Sequence, residues 1–300
     1  MSAQNVAGEM SVVTQEHPTR SFVWSVRREL WENKSIYIAP AAVAAVVLFG
    51  FVIGLLHGLG THSVDLIKAS VLAEGVFHLA ESLVIVTSMV TGVFYCLDAM
   101  YGERRDRSIF FWKSLPVSDI TTVLAKISIP LVVLPVVTFV VVVVTQAVMM
   151  LLGSLVLLID GSNLTSLWMQ LPLLEMWVVL AYCLIAVTLW HAPIYGYLLL
   201  VSAWANRATL LWAAIPLFSI AILERIVFHT SYFHRWIRYR VIGGVQMAFD
   251  THGANHGAML RLSQITPGRL LLSPGLWTGL VFVVAMVFAV VRMRRYREPI

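Results

Sequence analysis

Six stretches of this 300-residue chain are too apolar and too long to be comfortable in water: 36–56, 75–100, 120–153, 173–204, 208–228 and 276–291. A hydrocarbon layer of about 30 Å takes about 20 helical residues to cross, and a helix satisfies its own backbone polar groups there. The pattern therefore predicts an all-α polytopic membrane protein with six transmembrane helices. Composition agrees, since only 12% of the residues are charged, where soluble chains carry about 25%. Net charge is +5. The basic residues are flanked by spans and form no extended patch, so nucleic acid is not an expected partner.

Residues 1–18 are polar and unpatterned, and are expected to be disordered. No apolar h-region falls in the first 35 residues, so no cleavable signal peptide is expected. Residues 19–34 predict an interfacial amphipathic helix. Val23, Val26 and Leu30 form an apolar stripe with Trp24 and Trp31 beside it, and Arg27, Arg28, Glu29 and Glu32 fill the opposite face. Residues 35–300 then form one six-span domain. Pro130 and Pro135 each remove a backbone donor and should kink the third span. The short turn at Asn206-Arg207 makes the fourth and fifth spans antiparallel neighbours.

Four acids lie towards span ends: Glu81, Asp98, Glu175 and Glu224. Each is expensive in lipid and should face water, protein or headgroups. Residues 229–275 read as an outer, re-entrant region of short helices. Its histidines His229, His252 and His256 match no zinc signature, and no metal site is predicted. Cys96 and Cys183 sit inside apolar runs and are expected to be small core side chains.

Sidedness follows from counting Lys and Arg. Six spans put both termini on one side. That side holds fourteen cations, the other six, with Arg225 inside a span to complete the total of 21. The bias places both termini in the cytoplasm.

Chemistry of its own is absent from the sequence. No GxxxxGK[ST] loop occurs, nor GxSxG, HExxH or CxxC, so neither ATP hydrolysis nor hydrolase or redox chemistry has a candidate site and no catalytic residue is proposed. The prominent polar interruption is 101–119, YGERRDRSIFFWKSLPVSD, which mixes four basic and three acidic residues with Ile109, Phe110, Phe111 and Trp112. Three adjacent aromatics in a loop held at the membrane surface suit a partner's groove.

This segment, the interfacial helix before the first span and the outer excursion before the last resemble the permease subunit of a bacterial type-2 ABC exporter. The resemblance covers essentially the whole chain and is most specific over Glu103 to Asp119. It implies that 101–119 is a coupling helix docking on a separate ABC ATPase subunit through Glu103, Arg104, Arg105, Asp106, Ser108, Phe111, Trp112 and Lys113. The helix carrying Trp24, Arg27, Arg28 and Trp31 would add a second contact. It further implies two copies of the permease with two ATPase copies in the bacterial inner membrane, and ATP and magnesium on the partner with no cofactor on this chain. The apolar spans suit a hydrophobic or amphipathic cargo such as a peptide, lipid or drug. Two alternatives remain open at this point. One is a secondary transporter driven by an ion gradient; the other is a membrane enzyme or assembly factor using the 229–275 histidines.

Overall fold

The computed structural model describes residues 18–59, 66–106, 118–159, 173–250 and 262–296. The disorder expected for 1–18 therefore lies outside the described residues, save for Pro18, which opens a helix. Among the described residues the chain is helical throughout, with a single isolated bridge between Phe249 and Ile265. Six helices are long and apolar enough to cross a membrane: Ser35–His57, Gly75–Arg105, Asp119–Val156, Leu173–Trp204, Thr209–Phe228 and Pro274–Tyr296. The chain is accordingly a multi-pass membrane protein, and each span falls on a predicted apolar run. Six crossings bring both ends to one side, called here the terminal face.

The fourth span is the axis of the bundle. It packs against the sixth, second and third spans, and Leu180, Trp190 and Leu199 on it are almost fully enclosed. The share buried inside the protein is 50% for the second span and 44% for the fourth, against 11% for the first and 6% for the fifth. The first and fifth spans thus hang on the outside, their apolar faces left to lipid or to another chain. Polar contacts tie one span directly to another within the bundle. The Thr138 hydroxyl donates to Ser88 Oγ at 2.7 Å, the Trp177 indole N–H to Gln146 at 3.0 Å, and the Tyr197 hydroxyl to the Ala213 carbonyl at 2.9 Å.

Proline shapes the third span as its chemistry requires. The helix Asp119–Ser128 passes into a π turn at Ile129–Val133 before Leu134–Ile159 resumes as α-helix. Pro130 and Pro135 have no N–H to offer, and a wider turn accommodates the lost bonds. The expected kink takes this form. Cys96 and Cys183 are buried and free, as small core side chains.

Among its described residues, the 229–275 region holds one long helix besides the short ones expected. Tyr232–Ala248 is one helix of 17 residues, followed by the short turns Leu262–Gln264 and Pro267–Leu271. Glu224, at the end of the fifth span, starts it. The carboxylate accepts from the Tyr232 N–H at 2.6 Å, the Phe233 N–H at 2.8 Å and the Thr230 hydroxyl at 2.8 Å. Ser231 occupies the N-cap position without a side-chain cap, so Glu224 satisfies the orphan donors instead. The chain reaches this start through His229, whose φ of 52° is left-handed.

Two glycines then seat the helix on the fourth span. A Cβ at Gly244 would stand 3.0 Å from the Trp190 ring, and one at Gly243 3.4 Å from it. The Arg240 guanidinium lies over the same indole at 5.0 Å and donates to the Gly275 carbonyl at 2.8 Å. It fills the room that the missing Cβ of Gly279 leaves. Burial pushes this guanidinium below its ordinary pKa, but nowhere near neutrality, since arginine stays charged in proteins.

Trp190 is therefore the residue on which the opposite face is assembled. Trp190→Ala should cost about 3–5 kcal/mol, as large-to-small changes of buried aromatics do. Phe288→Ala, at a side chain 67% exposed, should stay within about 0.5 kcal/mol of the parent, as surface changes do. Thermal unfolding of the two variants in detergent measures the difference.

Candidate functional site at the terminal face

At the terminal face, four segments meet in a cluster of buried charge. Glu29 of the helix Pro18–Glu32 is 1% exposed, and Lys126 of the third span 2%. Lys126 Nζ donates to Glu29 Oε1 at 2.8 Å and lies 3.2 Å from Glu103 Oε1. Arg28 Nη2 reaches the same two carboxylates, Glu29 at 2.8 Å and Glu103 at 3.2 Å. The Tyr95 hydroxyl donates to the remaining Glu29 oxygen at 2.9 Å. Arg294, near the end of the sixth span, closes the cluster. Its Nη1 donates to Glu103 Oε2 at 2.9 Å and its Nε to Asp119 Oδ1 at 3.0 Å.

Three cations (Arg28, Lys126, Arg294) face the enclosed acids Glu29, Glu103 and Asp119, with the more exposed Glu32 3.6 Å from Arg28 Nε at the rim. Close pairing of opposite charges is what makes such burial tolerable. Burial alone would raise the Glu29 carboxyl, but Lys126 and Arg28 outweigh it and hold Glu29 below its ordinary value. Burial would likewise lower Arg28, and Glu29 with Glu103 raises it instead.

The geometry has a mechanical meaning. Glu103 precedes residues 107–117 and Asp119 follows them, and both acids are gripped by one guanidinium, Arg294. A second fixture holds the N-terminal foot of that segment. Arg104 donates to the Ser202 carbonyl at 2.8 Å and the Ala205 carbonyl at 2.6 Å, at the electronegative end of the fourth span. Ser202 Oγ in turn accepts from the Met100 and Tyr101 N–H groups, each at 3.0 Å. At the C-terminal foot, Ser118 Oγ caps the third span by accepting from the Thr121 N–H at 3.1 Å.

The docking surface expected from sequence is thus divided. Glu103 and Arg104 are not presented to solvent; they are 8% and 4% exposed and bound within the chain. Glu103 is held by Arg28, Lys126 and Arg294, and Arg104 by the Ser202 and Ala205 carbonyls. Arg105 and Asp106 are exposed, pair with each other at 3.0 Å, and stand at the edge of the cluster. Ser108, Phe111, Trp112 and Lys113 lie outside the described residues.

The N-terminal helix is also turned relative to expectation. Its protein-facing side carries Ser25, Val26, Glu29 and Leu30, while Val23, Trp24, Arg27 and Trp31 are exposed. The Arg27 guanidinium sits 5.5 Å over Trp24 and 5.0 Å over Trp31. Arg28 and Glu29, assigned to the polar outer face, point into the cluster.

Sequence reading did not single out Glu29, Tyr95, Lys126, Asp119, Arg294 or Ser202 as functional. Lys126 carried a signal: a lone cation in a long apolar run must find an acid. Glu29 gave a weaker one, since Ser25, Glu29 and Asn33 share the i, i+4 spacing of one helix face. No protein-family model matches the chain, and no curated protein or solved structure matches it either.

Removing one partner of this cluster leaves a buried charge unpaired. Lys126→Ala should therefore cost about 3–5 kcal/mol, and the double change Glu29→Gln with Lys126→Met should recover most of it, read from unfolding in detergent. The sign with pH is also fixed. Glu29 is depressed from an ordinary value of 4.5, so its contribution is complete above that pH and is lost as pH falls through the lower folded value. Between pH 5 and pH 3 the parent should lose more thermal stability than Glu29→Gln.

Proposed function

We propose that this chain is the permease subunit of an ATP-driven exporter of the type-2 ABC kind. It takes its energy from a separate ATPase subunit that docks at the 101–119 segment. The observation that carries this reading is the double grip of Arg294 on Glu103 and Asp119. A segment whose two feet are fixed to one guanidinium moves as a unit when pushed. Its movement would be passed to the N-terminal helix through Glu29, to the third span through Lys126, and to the fourth span through Arg104. A solvated loop connecting two spans needs none of these ties.

Charge supports the sidedness, because the terminal face carries most of the Lys and Arg and so belongs in the cytoplasm. There the exposed Arg105 and Asp106, with Ser108, Phe111, Trp112 and Lys113 beyond them, offer a partner an aromatic and charged surface. The Trp24–Arg27–Trp31 face of the N-terminal helix is suited to the membrane interface or to the same partner. The sparsely covered first and fifth spans leave faces for a second copy of the permease. The assembly would be two permeases and two ATPases, with ATP and magnesium on the latter. Cargo would be hydrophobic or amphipathic and would pass along the permease pair.

The ion-gradient alternative draws less support. Glu224 caps a helix and Glu175 accepts from the Leu262 N–H at 3.1 Å, which leaves, among the described residues, no chain of acids across the membrane of the kind a proton relay uses. For the third reading, His252 and His256 lie outside the described residues, and His229 contacts the Arg225 carbonyl at 3.2 Å. No metal-holding group of histidine, cysteine and acid occurs among the described residues.

Co-expression with a candidate ABC ATPase provides the test. The parent chain should copurify with it and make ATP hydrolysis responsive to cargo. The double variant Arg105→Ala with Trp112→Ala should insert normally yet lose at least tenfold of that response. Hydrolysis that stays fully cargo-responsive in the double variant would remove the docking assignment.

A further inference from the structure

Across the membrane from the charge cluster, the second span, the fourth span and the helix Tyr232–Ala248 leave a cavity of about 610 Å³ between them. That volume lies within the range of small-molecule pockets, about 300–1,000 Å³. Most of the wall is aliphatic or thioether, with Val86, Met89, Val179 and Ile242 typical of it. Glu81 is the acid among the described lining residues, and none of these is a lysine or arginine.

Among the described residues, the charged neighbour of this carboxylate is a histidine at ion-pairing distance. His78, one turn away on the same helix, stands 3.8 Å from Glu81 Oε2, too far for a hydrogen bond. His191 is committed elsewhere, its two ring nitrogens facing the Val187 carbonyl at 2.8 Å and the Val241 carbonyl at 3.0 Å. The Glu81 side chain is only 16% exposed and lies about 9 Å below Gly75 at 1.5 Å rise per residue. A carboxylate at that depth is costly without a counter-charge.

We propose that this cavity binds an amphiphilic organic cation, with the charged centre against Glu81 and the apolar body against Met89 and the aliphatic wall. The chemistry selects this class over its rivals. Calcium and magnesium want six or more oxygen ligands, and the site supplies one carboxylate. An anion meets that carboxylate with no cation beside it beyond His78. A neutral apolar molecule gains nothing from the carboxyl group, which would sit beside it only as the protonated acid. An onium or protonated amine carrying its own apolar coat satisfies both wall and charge, and the flexible Met89 thioether adapts to its shape. Its meaning as cargo rests on the exporter reading; its binding does not.

The experiment is equilibrium binding of tritiated tetraphenylphosphonium to the purified full chain in detergent. Saturable binding of one cation per chain is expected, and Glu81→Gln should weaken it at least tenfold while Glu81→Asp retains it within threefold. Met89→Trp, which fills the cavity and leaves Glu81 in place, should also abolish binding. Each variant is first shown to match the parent in thermal unfolding and monodispersity. Tetraphenylborate, of the same shape and opposite charge, should not compete. Repeating the parent-to-Glu81→Gln ratio in phosphatidylethanolamine and phosphatidylglycerol nanodiscs separates the two sources of such a cation. Equal ratios assign the site to a free cation, and a ratio lowered only in the ethanolamine lipid assigns it to an ammonium headgroup. Binding by Glu81→Gln within twofold of the parent, or equal competition by tetraphenylborate, overturns the proposal. Either failure leaves ATPase copurification untouched, and loss of the ATPase partner leaves this binding constant untouched.

Discussion

The contact between Lys126 and Glu29 sets the terms for the rest of the terminal face. Each side chain is almost wholly withdrawn from solvent, and neither could stay there alone, because an isolated buried charge costs several kcal/mol even after relaxation. Lys126 fixes where the N-terminal helix must sit, since only Glu29 on that helix neutralises it from this side. Glu29 has acceptor capacity left over, which Arg28 and Tyr95 use. Lys126 and Arg28 then reach Glu103, and through Glu103 the sixth span is drawn in by Arg294. One desolvated ion pair thereby ties together segments that run from Glu29 near the N-terminus to Arg294 near the C-terminus.

A cluster of this kind is not an economical way to gain stability. Well-packed apolar side chains in the same volume often serve as well or better. What alternating charges offer is exchange. Glu103 touches Arg28, Lys126 and Arg294 at once, so a small shift of the 107–117 segment can lengthen one of these contacts while shortening another, without leaving any charge bare. A packed apolar seam tends to have one good register; a shared carboxylate has several of similar energy. The face that would be pushed by a partner is built from the latter, whereas the opposite face is built from glycine seats against Trp190, which tolerate no such sliding.

How much of this could be read from the residues divides along physical lines. The six spans were legible because membrane crossing depends on local composition alone: the length of an apolar run is enough, and tertiary contacts do not alter it. The prolines of the third span were legible for the same reason, being a property of the backbone at that point. The partnerships of the cluster were not. Glu29 and Lys126 are joined across 97 positions and Glu103 and Arg294 across 191, and no periodicity encodes such distances. Glu103 and Arg104 read as part of a docking surface because polar residues after a span usually face water. Glu103 is held in part by Arg28 of the N-terminal helix, which depends on that helix facing inward with Glu29 rather than with Val23. The helix carries both an aromatic and a charged side, and its sequence alone does not say which of the two lies against protein.

The two faces are connected by the fourth span, and its construction suggests how. Near its end, Ser202 and Ala205 hold the foot of the 107–117 segment through Arg104 and two backbone N–H groups. Roughly three turns earlier by helix geometry, Trp190 and His191 hold the Tyr232–Ala248 helix, the former through its ring and the latter through the Val241 carbonyl. Both fixtures lie on one continuous helix, Leu173–Trp204, so a displacement at one is shared with the other. Movement imposed at Arg104 would therefore reach the wall of the Glu81 cavity, where Val179, Cys183 and Val187 of the same helix are exposed to its interior. Pro193 stands between the two fixtures and removes one backbone bond there, so the helix is weakest between its grips. A push at the terminal face would bend it at that point, and the side of the cavity formed by the fourth span would move relative to the side formed by the second.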